Sequence, residues 1–306
     1  MDWNQWDVII VGAGPAGLSA ALMLGRSRRH VLVIDSDSGR NRFASHMHGV
    51  LGHDGKSPAQ LRAEGRAEAE RYGVRFRSGS VDATSRDGDR VRVETDGATL
   101  LARALIVATG VRDELPDIPG LAERWGRTVL HCPFCHGWEV RDRRLAVLAT
   151  SPMSVHQAEM VSGLSGRVTF FAAGIAMADE ARRRLEARGI RIIDEPIEAV
   201  EGSGAEIDGV RLTGGDLIEI DAIFTGGTLV PHDGFVARLA LARSDSPVGS
   251  FLAVDPTGRT SDERIWAVGN VVAPMANVPM SMGAGAMTGS AVQGALIGWD
   301  LDESRG

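Results

Sequence analysis

The sequence predicts an α/β chain of two βαβ-based domains, the second inserted in the first. Three observations predict it. The length of 306 residues exceeds what one core usually fills. A β-rich run, a helical stretch and a second β-rich run occur twice, from Asp7 and again from Leu145. Beyond Phe251 the pattern returns to strands and a long small-residue helix that complete the first domain. The expected bounds are 1–112 with 250–306 for the first domain and 118–244 for the insert.

Each element has its reason. Asp7–Val11 is a β-branched run ending in glycines, so a buried strand. Ala16–Leu24 is a compact helix, and His30–Ile34 is again apolar and β-rich, closed by Asp35. Ser57-Pro58-Ala59-Gln60 has capping-box form with Pro at the first helical position, which predicts a helix to about Tyr72. Val74–Val81 reads as a strand. Asp87-Gly88 and Asp96-Gly97 mark tight turns, making Arg90–Ala102 an antiparallel meander. Ala104–Ala108 is a last buried strand. Val111–Gly120, with two prolines, reads as a linker. In the insert, strands Leu145–Ala149 and Val168–Phe171 flank a helix at Ser154–Gly163. A charged helix at Asp179–Arg188 and three short strands up to Phe224 follow. Then come a strand from Phe251, a turn at Pro256-Thr257-Gly258, a strand at Ile265–Val268 and a long helix from about Ser281.

Composition narrows the class. A hydrophobic fraction of 43% with 24% charged residues excludes wholesale disorder. A net charge of −7 gives no electrostatic footprint for nucleic acid or an anionic membrane. Val8–Gly25 is nearly charge-free and of membrane length, but Gly12, Gly14, Pro15 and Gly17 interrupt it and Asp2 and Asp7 precede it. No membrane span or signal is expected there. The only cysteines are Cys132 and Cys135, which is no disulfide scaffold and fits a reducing, cytoplasmic location.

Gly12-Ala13-Gly14-Pro15-Ala16-Gly17 is G-x-G-x-x-G between strand and helix, with Asp35 at the end of the next strand. That context makes it a dinucleotide fingerprint: the glycines admit a pyrophosphate to the helix N-terminus, and Asp35 can accept from a ribose. A second signal is Ala108-Thr109-Gly110 after an apolar strand. A third is Gly269-Asn270-Val271 ahead of the last helix. Together they resemble the two-dinucleotide-binding flavoproteins, whose first Rossmann-like domain holds FAD. Their last motif usually ends in Gly-Asp; Asn270 can still accept from a ribityl hydroxyl. Asn41 and Arg42 follow the second strand and could reach the adenosine or its phosphates. The resemblance also implies FAD contacts from His48, from Val81, and from Met282, Gly283 and Ala284 near the start of the last helix. His46, His48 and His53 otherwise read as a polar loop, although three histidines in eight residues invite a metal; none is assigned.

The remaining chemistry is concentrated in Cys132-Pro133-Phe134-Cys135-His136-Gly137-Trp138-Glu139. C-x-x-C can bind zinc, staple a turn or exchange disulfides. Zinc would have to recruit His131 and His136 around one turn, which is cramped, and so short a loop stabilises little as a staple. Redox exchange is the better reading, with the pair opening a helix whose N-terminus favours thiolate. His136, titrating near neutrality, can take a thiol proton; the alternative is a helix-start residue with no proton role, and His131 is a rival base.

A C-x-x-C just past the linker, on an FAD-binding frame of this length, resembles low-molecular-weight thioredoxin reductase over nearly the whole chain. That implies two Rossmann-like domains of the thioredoxin reductase type, a homodimer, Cys135 against the flavin and Cys132 exchanging with substrate. The family continues C-x-x-C-D-G, where this chain has His136. It also binds NADPH through a second glycine fingerprint and basic residues. Here Leu145–Ala149 is followed by Thr150-Ser151-Pro152-Met153-Ser154, with no glycine, and Val168–Phe171 by Ala172-Ala173-Gly174, with no arginine. A productive nicotinamide site is not expected. These departures resemble the thioredoxin reductase-like dithiol oxidases that close disulfides in microbial natural products such as holomycin and gliotoxin. The implied activity is oxidation of a small-molecule dithiol, with electrons passing through Cys132–Cys135 and FAD to O2. Two rivals remain open: a reductase fed by NADPH or a donor such as ferredoxin, and a non-enzymatic redox sensor.

Overall fold

A computed structural model describes residues 5–305. The outermost ends of the first expected domain, 1–4 and 306, lie outside the described residues. The chain divides into two compact units: Met1–Arg42, Ala59–Arg112 and Leu229–Gly306 in one, Phe43–Pro58 and Asp113–Thr228 in the other.

The first unit is built on a seven-stranded sheet. Gln5–Val11 lies parallel to Val31–Asp35 on one side and to Ala98–Val107 on the other. Arg75–Ser78 extends the parallel part beyond Val31–Asp35, and Ile265–Ala267 pairs with the end of Ala98–Val107. Ala83–Asp87 and Arg90–Thr95 add antiparallel strands. The helices Pro15–Arg26 and Val278–Glu303 pack together because both present small residues. A Cβ on Gly285 would stand 2.1 Å from the carbonyl oxygen of Ala16, so the approach requires glycine. Val8, Ile10, Ala20, Leu24, Ile106, Val292 and Leu296 form the core beneath.

The second unit repeats the plan. Val129–Leu130, Ala222–Phe224, Leu145–Leu148, Val168–Phe171 and Arg191–Ile193 form a parallel sheet in that lateral order. Ile197–Glu201, Gly209–Leu212 and Leu217–Glu219 form an antiparallel meander. Ser154–Val161 and Asp179–Ala187 are its longer helices.

The structure corrects several expectations. The meander's last strand and the buried strand are one, Ala98–Val107, which turns from antiparallel to parallel partners along its length. The expected linker holds a short strand, Val111–Glu114. The strand expected over Val74–Val81 is only Arg75–Ser78, and Val81 follows it, packed on the core. The insert has five short strands up to Phe224 where three were expected after the charged helix. Residues 43–58 group with the second unit, where Phe43 lies against Gly126. Residues from Leu229 group with the first, where Leu229 packs with Val111 and Phe251. No described helix is long and apolar enough to cross a membrane.

Candidate active site

In the first unit the fingerprint turn is shaped by backbone needs. Gly12 has φ +105°, and a Cβ there would meet the Ala108 carbonyl oxygen at 2.4 Å. A Cβ on Gly17 would meet the Gly12 carbonyl oxygen at 2.0 Å. These two glycines serve the fold. Gly14 does not: its φ is −72° and a Cβ would find nothing within 4 Å. The helix it precedes has Pro15 at its first position and no side-chain cap, so the N–H groups of Ala16 and Gly17 await an acceptor. Open space over Gly14 beside uncapped helix donors suits a pyrophosphate.

Asp35 accepts from the Ala13 N–H at 2.9 Å and from the Asp37 N–H at 3.2 Å, which fixes its carboxylate beside that turn with lone pairs left for a ribose. Thr109 Oγ1 donates to the His232 carbonyl, and the His232 N–H returns to the Gly110 carbonyl, holding the second motif. Asn270 explains the departure from Gly-Asp. Its Nδ2 donates to the carbonyls of Ala273, Pro274 and Ala276 at 2.8–3.2 Å, which a carboxylate cannot do. Its Oδ1 is left to accept from a hydroxyl. Arg40 donates to the Pro274 carbonyl and so supports the same loop. His232 and Arg40 were not singled out in the sequence, since backbone-directed bonds leave no motif.

Other expected contacts fare differently. Arg42 folds back on the carbonyls of Ser38 and Gly39, in the turn that carries Asn41. Val271 is a core residue, so only its backbone can reach a ligand. The last helix starts at Val278, not near Ser281. Its N-cap Asn277 accepts the Met280 N–H at 3.1 Å. Met282, Gly283 and Ala284 therefore lie one turn inside, their N–H groups bonded within the helix. Gly283 still faces open space. The residues present fit FAD.

One prediction follows from Gly14. Gly14→Val keeps the thermal midpoint of the apoprotein within a few degrees but leaves the purified protein FAD-poor. Gly17→Val lowers the midpoint of apoprotein and holoprotein alike, because its side chain meets backbone. Melting curves with and without added FAD check both.

In the second unit, Val129–Leu130 leads into the redox turn. Cys132 and Cys135 are joined as a disulfide, with Cα atoms 5.3 Å apart. The helix they open is a single turn, Pro133–His136, followed by the 3₁₀ turn Trp138–Val140. That is too short for the dipole effect expected from the sequence. Gly137 is required: a Cβ would stand 2.4 Å from both Leu164 and the Pro133 carbonyl. Gln157 donates to the His131 carbonyl at 2.7 Å and steadies the approach to Cys132. Phe134 and Trp138 are 80% and 68% exposed on this turn, with Arg141 stacked on Trp138. Burial lowers the pKa of His136; Glu139 opposes that shift and His48 adds to it. Burial thus favours the neutral imidazole, the form that takes a proton. The structure brings His48 to this turn, where its ring stands between Asp54 and Glu139. Among the described residues no group of three His, Cys, Asp or Glu side chains is arranged to hold a metal.

The turn after Leu145–Leu148 also lies in this unit. Ser154 Oγ accepts the N–H of Thr150 at 3.1 Å and that of Ser151 at 3.4 Å. Pro152 has no N–H to offer. Ser154 is itself buried.

A dinucleotide cradle in one unit and a redox disulfide in the other define an FAD-dependent disulfide oxidoreductase. Residues 6–289 match the family described as pyridine nucleotide-disulphide oxidoreductase, and the chain belongs to it. Thioredoxin reductase tcpT of Claviceps purpurea is 33% identical over 96% of this chain and 95% of its own length. Among solved structures, HlmI superposes with a TM-score of 0.94 at 39% identity, covering 99% of this chain and 96% of that one. An oxidoreductase from Agrobacterium tumefaciens gives 0.90 at 40% identity, covering 96% of this chain and 99% of that one. The chain is a thioredoxin reductase-like flavoprotein.

Proposed function

We propose that the chain oxidises a small-molecule dithiol to a disulfide, exchanging through Cys132–Cys135, with O2 as the final acceptor and hydrogen peroxide as its product. One observation carries this reading. The turn after Leu145–Leu148 has no glycine over which a nicotinamide nucleotide's pyrophosphate could lie, has Pro152 with no N–H to offer, and is bridged by Ser154 Oγ on the N–H groups of Thr150 and Ser151. A chain with an FAD cradle and a redox disulfide, but with that turn closed, takes its electrons from thiols.

The residues then divide the work. One substrate thiolate attacks Sγ of Cys132; the Cys132–Cys135 bond breaks and Cys135 leaves as thiolate. The second substrate thiolate attacks the substrate sulfur of that mixed disulfide. Cys132 leaves as thiolate, and the substrate departs with its own disulfide closed. The two thiol protons must go elsewhere, and His136 accepts one of them. Bound FAD supplies the two-electron acceptor that restores the cysteine disulfide and delivers the pair to O2. Phe134 and Trp138 offer apolar surface to a small organic dithiol.

The relative's name, thioredoxin reductase, favours the other reading, in which NADPH feeds electrons toward a disulfide. A comparison of donors separates them: anaerobically, a small dithiol bleaches the flavin absorbance and NADPH does not.

A further inference from the structure

The loop of residues 43–58 carries His48 to the redox turn. His48 Nδ1 stands 3.3 Å from Asp54 Oδ2, and Nε2 stands 3.4 Å from Glu139 Oε1. Asp54 is anchored in turn by the Gly49 N–H at 2.9 Å. The imidazole is therefore fixed at both nitrogens, with one carboxylate on its own loop and one on the redox turn. Glu139 follows His136 by three residues along a helical path, the spacing at which side chains become neighbours. One carboxylate thus serves two imidazoles.

We propose that Glu139 and His48 are positioning residues for the redox pair, a charge couple that adjusts how readily His136 takes up and gives up a proton. The assignment rests on the dithiol-oxidising reading, in which His136 is the base. The ionic groups acting on His136 are Glu139, which favours its charged form, and His48, which in its protonated form opposes it. Asp54 faces His48 from the other side. Glu139 draws a proton toward His136, while burial and any positive charge on His48 push it off. The couple keeps His136 able both to accept a thiol proton and to release it.

The two members act with opposite signs, and no purely structural role does that. The test follows the His136 ring resonance by NMR in the oxidised holoenzyme, assigned by its loss in His136→Ala. Half-titration falls by about 0.5–1 pH unit in Glu139→Gln and rises by a similar amount in His48→Gln, the scale of one nearby charge. Glu139→Asp, which keeps the charge, stays close to wild type. Identical midpoints in all variants, or shifts of one sign in Glu139→Gln and His48→Gln, overturn the proposal. Dithiol turnover is read on the same samples, and its acid limb moves with the ring. Ring shifts as stated with no turnover of any dithiol would sustain the couple and sink the oxidase reading.

Discussion

Cys135→Ser loses dithiol-driven flavin reduction by about 10³-fold or more, because a hydroxyl cannot close a disulfide and no other thiol replaces it. Cys132→Ser is lost to the same extent but at a different step. With Cys135 replaced, Cys132 remains a lone thiol, and a disulfide probe leaves it trapped as a mixed disulfide. With Cys132 replaced, the exchanging sulfur is gone and trapping at Cys135 is slow. Intact-mass measurement after exposure to an aromatic disulfide distinguishes the two. Fast trapping only in Cys132→Ser would reverse the assignment. FAD content stays at wild-type level in both, since the cradle residues belong to the other unit.

His136→Ala slows turnover by about 10²–10⁴-fold, the usual contribution of a positioned base. Thiols titrate near 8.5, so only about 3% of a substrate thiol is ionised at pH 7 without help. Burial lowers the His136 pKa below that of a free imidazole, against the pull of Glu139. The sign follows: the accepting, neutral form is present above that lowered pKa and is lost as pH falls through it. Wild-type turnover therefore persists into mildly acidic solution. The variant's deficit shrinks toward alkaline pH, where substrate thiols ionise unaided. Oxygen uptake with a model dithiol across pH checks this. A deficit that does not change with pH would make His136 a substrate-orienting residue.

How much of this was legible follows from the range of each interaction. The fingerprint was, because Gly17 answers to the Gly12 carbonyl inside one strand–turn–helix, even though Gly12 itself answers to the distant Ala108 carbonyl. The strand Ala98–Val107 was not, because Arg103 interrupts its apolar run. That arginine is buried yet paired with Asp300 and Glu303 on the last helix, some 200 residues away. The strand Arg243–Ser246 is exposed throughout and has no alternation to read. Missing glycines after Leu145–Leu148 could be seen; that Ser154 Oγ accepts the N–H groups of Thr150 and Ser151 across that turn could not. The CxxC was plain, but its helix is one turn long, held by Gly137 against Leu164. The family resemblance alone makes His48 a flavin contact. Its partner Glu139 stands 91 positions later, and only the folded loop joins them.

The direction of electron flow is decided by which donor reduces the flavin. Holoprotein is made anaerobic and divided. One portion receives excess NADPH or NADH, the other a small dithiol, and the flavin absorbance is followed. The oxidised spectrum stays unchanged with either nicotinamide nucleotide. The dithiol bleaches it, and admitting air reverses the bleaching with one hydrogen peroxide formed per dithiol oxidised. Rapid stoichiometric bleaching by NADPH would contradict this and make the chain a reductase despite Ser154.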